Sequence, residues 1–252
     1  MKIFGLIGSQ IEHSNSPKLF EQLFLKYNIK DASYRLFPLN HIEQLRELLY
    51  EHPDLCGLNV TMPFKKTVIP FLDEISTIAK DTGAVNTIAV IRNDDNVKLK
   101  GFNTDVGAFQ YALNPLLQSW HQSALILGNG GASAAVKVVC KRIAVDYTVV
   151  SRKKKQGVIT YKDVTEEIIK EHLLIVNTTP LGMYPNTDNY PLIPYEYLTT
   201  RHLLFDMIYN PINTCFMKFG TERGAVVSNG QLMLELQAGR SLDTWRSSLY
   251  AF

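Results

Sequence analysis

Short apolar segments alternate with amphipathic segments along this chain, and this alternation limits the folds that the chain can adopt. The first apolar segment, residues 3–7, ends at Gly8, and Ser16 with Pro17 then begins a helix. A second alternating series starts at the continuously apolar segment 123–127. Strands that are separated by helices usually pair in parallel. The sequence therefore predicts an α/β protein with mostly parallel sheets.

The first half of the chain contains two further structural predictions. A strand pattern at residues 55–60 precedes Pro63, and a helix is predicted after this proline. Strand patterns at residues 84–92 and 97–101 flank the polar stretch 93–96. A polar stretch between two strands is typical of a hairpin that points into solvent.

The length of the chain and the order of its elements predict two domains. A chain of 252 residues can form one large domain or two smaller ones. A long predicted helix at residues 106–117 precedes the second alternating series, so we place the boundary there. Residues 1–105 are predicted to form an N-terminal α/β domain, which the C-terminal helix of residues 229–252 completes. Residues 106–228 are predicted to form a Rossmann-like domain.

The composition excludes several classes of partner. The net charge of +2 gives no large field that would attract nucleic acid or an anionic membrane. No apolar segment approaches the roughly 20 residues of a membrane span, and the N-terminus is apolar too briefly for a signal peptide. Cys56, Cys140 and Cys215 are odd in number and far apart, which disfavours a disulfide framework or a metal site. We therefore expect a cytoplasmic protein that holds no metal.

A glycine-rich turn follows the apolar segment 123–127 and leads into a helix of small residues. The turn consists of Gly128, Asn129, Gly130, Gly131 and Ala132. Glycines let backbone amides approach a pyrophosphate, which the positive start of the helix favours. Ser133 occupies the third glycine position of the usual G-x-G-x-x-G pattern, where a small residue still permits close packing. The turn predicts a dinucleotide site, and the alternative is a glycine turn that binds no nucleotide.

The end of the next strand indicates which dinucleotide is bound. The predicted strand 146–150 is followed by one small and two basic residues: Ser151, Arg152 and Lys153. An NAD site would place Asp or Glu here, whereas Arg accommodates a 2′-phosphate, so NADP is the predicted cofactor. Later strands end near Thr178 and Met207, and ligands of open α/β sheets bind at such carboxyl ends. Met207 is equally consistent with packing on a nicotinamide and with ordinary core filling.

The first domain concentrates polar groups that could hold and protonate a small oxygenated molecule. These groups belong to Asn59, Thr61, Lys65, Asn86 and Asp105. A lysine ammonium can polarise a ketone and donate a proton to its oxygen. A single lysine is usually a solvated charge, so the prediction rests on the whole set. We expect Lys65 and Asp105 to act as a coupled pair, although Asp105 could also cap the following helix.

Three further polar residues are candidates for substrate contacts. Ser14 and Ser16 place two hydroxyls beside a helix start, which favours carboxylates, so we predict a site for an anionic cyclic acid. The alternative for Ser16 is a helix start before Pro17 without a binding role. Gln237 shares a helix face with Met233 and would point inward. A buried structural glutamine is an equally good interpretation of Gln237.

These segments resemble those of the shikimate dehydrogenase family, and the resemblance extends from about residue 3 to residue 245. The matching motifs are Ser14-Asn15-Ser16-Pro17, Asn59-Val60-Thr61-Met62-Pro63-Phe64-Lys65, Gly83-Ala84-Val85-Asn86-Thr87, Asn103-Thr104-Asp105, the Gly128 turn, Asn177-Thr178-Thr179-Pro180-Leu181-Gly182, and Gly230-Gln231-Leu232-Met233-Leu234-Glu235-Leu236-Gln237-Ala238. The resemblance implies an oxidoreductase that catalyses the NADPH-dependent, reversible reduction of 3-dehydroshikimate to shikimate in aromatic amino acid biosynthesis. It also implies that the first domain binds the substrate and the second binds NADP.

The resemblance further implies roles for individual residues. Lys65 would be the acid and base, with Asp105 as its partner. The substrate would be held by Ser14, Ser16, Thr61, Asn86, Asp105 and Gln237, with Asn59 and Tyr209 close by. The cofactor would be bound by Gly128, Asn129, Gly130, Gly131, Ala132, Ser151, Arg152, Lys153, Thr178, Met207 and Gly230.

One departure from the family and three alternative functions remain. The family often has Asn-Arg-Thr where this chain has Ser151, Arg152 and Lys153, which leaves the strictness of NADP preference open. A quinate/shikimate dehydrogenase with relaxed cofactor use is disfavoured by the paired serines and the basic segment. A methylenetetrahydrofolate dehydrogenase should lack the paired serines, and a non-catalytic nucleotide-sensing homologue would have little reason to keep Lys65 with Asp105. We predict an enzyme that acts on a small-molecule substrate. The enzyme itself is predicted to be a monomer or a homodimer.

Overall fold

A computed structural model describes residues 1–93 and 96–249 of the protein, which form two compact units. The first unit comprises Met1–Asp105 and the segment from Glu235 onward, and the second comprises Val106–Leu234. The return to the first unit thus begins at Glu235, whereas the sequence placed it at residue 229. The assignment of substrate to the first unit and cofactor to the second stays a prediction at this stage.

The strands of the first unit form a mixed sheet. They are β1 (Lys2–Gly8), β2 (Ala32–Pro38), β3 (Leu55–Val60), β4 (Glu74–Ile75), β5 (Thr87–Asn93) and β6 (Asn96–Phe102). Their order in the sheet is β2-β1-β3-β5-β6-β4. β1 pairs in parallel with β2 and β3, and β4 does so with β6, while β5 runs antiparallel to both of its neighbours. The predicted hairpin corresponds to β5 and β6, and its tip at residues 94 and 95 lies outside the described residues.

The strands of the second unit form a fully parallel sheet. They are β7 (Ser123–Leu127), β8 (Asp146–Ser151), β9 (Val158–Thr160), β10 (Leu174–Asn177), β11 (Leu203–Asp206) and β12 (Val226–Ser228). The order is β12-β11-β10-β7-β8-β9, with every neighbouring pair parallel. The order reverses between β7 and β10, as in the Rossmann fold. The predicted α/β class with a Rossmann-like domain is confirmed.

The helices are α1 (Ser16–Lys26), α2 (Leu45–Glu51), α3 (Thr77–Thr82), α4 (Asp105–Leu113), α5 (Gly131–Arg142), α6 (Glu166–Glu171), α7 (Cys215–Glu222) and α8 (Gln231–Leu249). The helix predicted directly after Pro63 is wrong. Residues 62–68 form turns, and a short 3₁₀ helix follows at Ile69–Phe71. The second residue of that helix is Pro70, which has no N–H and so cannot continue an α-helical ladder.

An aromatic cluster attaches α8 to the sheet of the first unit. The Trp245 ring is fully buried, stacks on Phe4 with ring centroids 4.7 Å apart, and lies 5.3 Å from the Phe20 ring. Its Nε1 donates a 2.9 Å hydrogen bond to the Ile88 carbonyl. A Cβ on Gly57 would lie 2.4 Å from this indole, so β3 needs glycine there. The apolar face of α8 therefore packs against the sheet of the first unit through Trp245.

No helix in the described part of the chain is long and apolar enough to span a membrane.

Candidate functional site

The centre of the candidate site is an ion pair in the first unit. Lys65 Nζ lies 2.6 Å from Asp105 Oδ2, and the two side chains are 18% and 6% exposed. Lys65 lies on the turn after β3, where its carbonyl accepts a 2.7 Å hydrogen bond from Val85 N. Asp105 begins α4. Because separating two charges that are this buried would leave each without its partner, the pair is restrained in position.

The Asn86 side chain orients the Asp105 carboxylate. Asn86 Nδ2 donates to Asp105 Oδ1 at 2.8 Å and to Thr104 Oγ1 at 2.9 Å. Its Oδ1 accepts from the Thr104 amide at 2.8 Å, which fixes the end of the Asn86 side chain that faces Asp105. Both carboxylate oxygens of Asp105 are therefore engaged, one by Asn86 and one by Lys65. The carboxylate uses only one of the three N–H donors of the Lys65 ammonium.

Asn59 is part of the buried support beneath this pair. Its Nδ2 lies within 3.2 Å of the Asn86 carbonyl and of Thr87 Oγ1, and 2.9 Å from Ser241 Oγ. Its Oδ1 accepts a 2.9 Å hydrogen bond from the Tyr34 hydroxyl. Asn59 is only 5% exposed, and this amide is surrounded by protein partners. The geometry gives Asn59 a supporting role, and its predicted proximity to substrate stays a prediction.

Ser14 and Ser16 are brought together at the start of α1. Ser14 Oγ donates to Ser16 Oγ at 3.0 Å, and Ser16 N donates to Ser14 Oγ at 3.2 Å. Ser16 is itself the first helical residue, so α1 begins one residue earlier than the predicted first helical position, Pro17. The preceding residue, Asn15, makes no side-chain cap bond, so its side chain does not satisfy the first-turn amides. Thr61 lies half-buried where β3 ends, with its amide bonded to the Ile7 carbonyl at 2.9 Å.

The C-terminal helix contributes Gln237 and a residue that the sequence reasoning missed. Gln237 is half-buried, and its carbonyl accepts a 2.9 Å hydrogen bond from Ser241 Oγ. Ser241 is completely buried and also contacts Thr87 Oγ1 at 2.8 Å. Its position four residues after Gln237 puts both residues on one helix face, a spacing that could have revealed it.

The glycine turn of the second unit has the geometry that a dinucleotide needs. Gly128 has φ +110°, and a Cβ there would lie 2.6 Å from Thr178 Oγ1. A Cβ on Gly130, by contrast, would meet no protein atom within 4 Å. Gly130 also precedes α5 without a side-chain cap, so the first-turn amides are available to an anion. Ser133 Oγ donates to the Gly130 carbonyl at 2.9 Å and closes the turn. These features fit a pyrophosphate.

Asn129 and Ala132 complete this turn. Asn129 Oδ1 accepts a 2.6 Å hydrogen bond from Lys137 Nζ, which brings a cation from α5 to the turn. Lys137 was not singled out in the sequence, because a lysine two helical turns from a motif looks like a solvated charge. Ala132 is half-buried in the first turn of α5, next to Gly131.

The predicted 2′-phosphate segment is a tight turn after β8. Ser151 Oγ donates to the Lys153 carbonyl at 2.7 Å and accepts from Lys153 N at 3.3 Å. Arg152 and Lys153 are exposed. Nearby, burial raises the pKa of Tyr161 to about 12, and the positive charge of Arg152 acts against that increase. Ser151 therefore shapes the turn, while the basic side chains remain accessible to an anion.

A buried carboxylate organises the other strand ends of this unit. Asp206 accepts from Thr214 Oγ1 at 2.6 Å, from Ile208 N at 3.0 Å and from Asn177 Nδ2 at 3.1 Å. Burial raises its pKa to about 6, although these hydrogen bonds oppose the shift. Asp206 was not among the residues singled out from the sequence.

Met207 and Tyr209 follow this carboxylate along the chain, and Gly230 packs against the Met207 backbone. Met207 and Tyr209 are half-buried in the segment after β11. A Cβ on Gly230 would lie 2.2 Å from the Met207 carbonyl oxygen, so only glycine allows this close approach. The absence of a side chain at Gly230 thereby allows the two backbones to pack together. The contact of Met207 with a nicotinamide stays a prediction. Among the residues the structure describes, no three His, Cys, Asp or Glu side chains are grouped as a metal would require.

Comparison with known proteins identifies close relatives. A family model described as the shikimate dehydrogenase substrate binding domain matches residues 6–88. Shikimate dehydrogenase (NADP(+)) of Clostridium beijerinckii is 38% identical and covers 98% of this chain and 92% of its own length. The sequence similarity therefore extends through both units.

Solved structures show that the fold of this chain is also similar to that of shikimate dehydrogenases. The crystal structure of shikimate dehydrogenase 1 from Peptoclostridium difficile has a TM-score of 0.86 and 32% identity, covering 98% of this chain and 92% of that one. Shikimate 5-dehydrogenase of Thermus thermophilus, in complex with NADP(H) and shikimate, has a TM-score of 0.84 and 28% identity, covering 97% and 93%.

Proposed function

This chain belongs to the shikimate dehydrogenase family, and we propose that Lys65 and Asp105 carry the proton transfer of its reaction. The reaction is the NADP-dependent, reversible reduction of 3-dehydroshikimate to shikimate, a step in aromatic amino acid biosynthesis. When bound, NADPH supplies the hydride. The residues of the first unit must then bind the substrate, orient its ketone and deliver one proton.

Lys65 is the proton donor in this proposal. Negative charge develops on the ketone oxygen during reduction, and a positioned ammonium stabilises that charge while it donates a proton. Asp105 holds the ammonium by one of its N–H groups, which leaves the others for substrate oxygens. In the reverse direction Lys65 removes the hydroxyl proton. The observation that carries this assignment is the Lys65–Asp105 pair, whose carboxylate is oriented by Asn86.

The other polar residues of the first unit would bind the ring and carboxylate of the substrate. Ser14 and Ser16 present two adjacent hydroxyls at the start of α1, where first-turn amides favour a carboxylate. Thr61, Asn86 and Gln237 would contact ring hydroxyls, together with Asp105. Asn59 and Tyr209 are assigned places close to the ring rather than direct contacts.

The second unit would hold the cofactor by the turn and strand ends already described. The residues proposed to contact it are Gly128, Asn129, Gly130, Gly131, Ala132, Ser151, Arg152, Lys153, Thr178, Met207 and Gly230. The support comes from the open space at Gly130, the uncapped start of α5 and the exposed Arg152. An arginine at this strand end suits the 2′-phosphate that distinguishes NADP from NAD.

We also propose that the enzyme acts in the cytoplasm on small molecules alone, as a monomer or a homodimer. The three cysteines are free thiols, and Cys140 is buried, as expected in a reducing compartment. The near-neutral charge gives no field for nucleic acid.

An activity assay with three substrates and two cofactors tests the proposed function. Purified protein should oxidise NADPH in the presence of 3-dehydroshikimate, and should do so far more slowly with NADH. Loss of NADPH absorbance reports the rate. Oxidation of shikimate and of quinate, measured in parallel, separates this activity from that of a quinate/shikimate dehydrogenase. Absence of turnover with either cofactor would end the assignment.

A further inference from the structure

We propose that Ser241 is a positioning residue for the Lys65–Asp105 pair, through a buried network that joins α8 to Asn86. This inference rests on the proposed function, because it concerns the geometry of the same proton donor. Ser241 touches neither Lys65 nor Asp105 in the contacts described above. It acts through Thr87, Thr104 and Asn86.

The hydrogen bonds of Ser241 set the direction of its neighbours' protons. Its single proton is donated to the Gln237 carbonyl at 2.9 Å. The oxygen then accepts from Asn59 Nδ2 at 2.9 Å and from the Thr87 hydroxyl at 2.8 Å. The Thr104 hydroxyl lies further away, at 3.4 Å. The Thr87 hydroxyl therefore has two acceptors, Ser241 Oγ at 2.8 Å and Asn86 Oδ1 at 3.2 Å, and the shorter contact directs its proton mainly to Ser241.

The direction of the Thr87 proton affects the Asn86 side-chain amide, which orients the Asp105 carboxylate. Asn86 Oδ1 lies 3.2 Å from Thr87 Oγ1, and it already accepts from the Thr104 amide at 2.8 Å and the Thr104 hydroxyl at 3.2 Å. Without Ser241, the Thr87 hydroxyl would donate to Asn86 Oδ1 alone, and this bond would compete more strongly with those from Thr104. The Asn86 amide would then shift, and with it the 2.8 Å bond from its Nδ2 to Asp105 Oδ1.

Burial supports a specific role for this hydroxyl. Ser241 is fully buried on a helix face that it shares with Ala238, Leu242 and Trp245, all of which are also fully or almost fully buried. A hydroxyl in such surroundings is unfavourable unless its partners are in place. Here every hydrogen-bonding position of the hydroxyl is used, and the partners come from three separate parts of the first unit. The same hydroxyl bonds to the carbonyl of Gln237, so it also fixes the helical turn that bears a proposed substrate contact.

The helix provides a matched control for this proposal. Ser247 Oγ donates to the Asp243 carbonyl at 2.9 Å, which is the same bond, at the same length, that Ser241 makes to Gln237. Ser247 is exposed and lies about 1.7 turns away on α8. Ser247→Ala therefore removes the helix-backbone bond alone, whereas Ser241→Ala removes it together with the network.

The experiment compares both variants with the wild type in the reduction of 3-dehydroshikimate. We expect Ser241→Ala to lower kcat by between about threefold and about a hundredfold, the upper limit being typical of a small displacement remote from the chemistry. The KM for NADPH should not change, because the substitution lies in the first unit. Ser247→Ala should match the wild type in both quantities. A wild-type kcat for Ser241→Ala, with or without a lower melting temperature, would overturn the proposal.

A double-mutant cycle with Thr87→Val tests the route of the effect. If Ser241 acts through the Thr87 hydroxyl, the two single effects on kcat will not add in the double variant. Additive effects would contradict the route. Should Ser241→Ala fail to fold, Ser241→Cys replaces it in the cycle, because it keeps the shape of the side chain with a somewhat larger and weaker hydrogen-bonding group. An inactive wild type would refute the proposed function itself, and not the positioning role.

Discussion

The Asp105 carboxylate has both oxygens engaged while its side chain is only 6% exposed, and this burial distinguishes it from Glu74, a surface carboxylate of the same unit. The sequence identified Lys65, Asn86 and Asp105 because their chemistry is unusual near strand ends. The spacing from Gln237 could have drawn attention to Ser241, but the contacts of Ser241 and Tyr34 to Asn59 could not be predicted, since they join residues far apart in the chain. Polar chemistry can thus be read from the sequence, whereas the network that supports it depends on tertiary packing.

Replacing the Asp105 carboxylate by an amide should reduce turnover without changing the shape of the side chain. In Asp105→Asn, the Lys65 ammonium loses its charged partner. We therefore expect kcat to fall by at least about tenfold; loss of the general acid itself usually costs about 10² to 10⁴. Glu74→Gln is the control, because it breaks exposed ion pairs with Lys98 and Lys100 in the same unit. Exposed pairs contribute little to stability, so this variant should retain the wild-type kcat. Equal rates for Asp105→Asn and Glu74→Gln would remove Asp105 from the mechanism.

Asp206 should make the stability of the protein depend on pH. Burial raises the pKa of this carboxyl from 3.8 to about 6, so the folded state holds the proton more tightly than the unfolded state. The stabilisation is present below 3.8 and is lost as pH rises through about 6, with a size of the order of a few kcal/mol. Asp206→Asn cannot titrate and keeps the shape of the side chain.

The melting temperatures of the wild type and Asp206→Asn, measured across this interval, check the prediction. The wild type should lose stability relative to the variant as pH rises. Parallel pH dependences for the two proteins would show that Asp206 titrates as an ordinary surface carboxyl.

Among the elements, those with uniform apolar patterns were predictable and those shaped by prolines were not. The alternation gave the parallel sheet of the second unit, and β7 was expected at its observed bounds, Ser123–Leu127. The stretch after Pro63 resembles a helix start, but Pro70 interrupts the backbone bonds that a helix would need. β4 and β9 are short edge strands, and two or three residues carry too little pattern to be recognised.

The turn between β7 and α5 allows its structural and binding roles to be separated. Gly128→Ala places a Cβ against Thr178 at φ +110°, so its melting temperature should fall. Gly130→Ala meets no protein atom, so its melting temperature should equal that of the wild type. Its methyl group would instead enter the space proposed for the pyrophosphate, and the KM for NADPH should rise. An unchanged KM for NADPH in Gly130→Ala would place the cofactor elsewhere.

Across the whole chain, each unit has its own sheet and its own set of polar groups. The motifs were sufficient to identify the family, because they are distributed over almost the entire length, and the relatives confirm it. The division at Glu235 could not be read from the sequence, since it falls inside the continuous helix α8. The apolar pattern of a helix shows that it packs, but it does not show against which unit each turn packs.

Turnover and substrate affinity of Lys65→Ala, measured on the same preparation, test the proton-transfer assignment. We expect kcat for 3-dehydroshikimate reduction to fall by about 10² to 10⁴, the usual contribution of a general acid or base. Shikimate should still bind in calorimetry, because Ser14, Ser16 and Gln237 are untouched. Lys66→Ala, at the exposed neighbouring lysine, should behave as the wild type. A wild-type rate for Lys65→Ala would contradict the assignment.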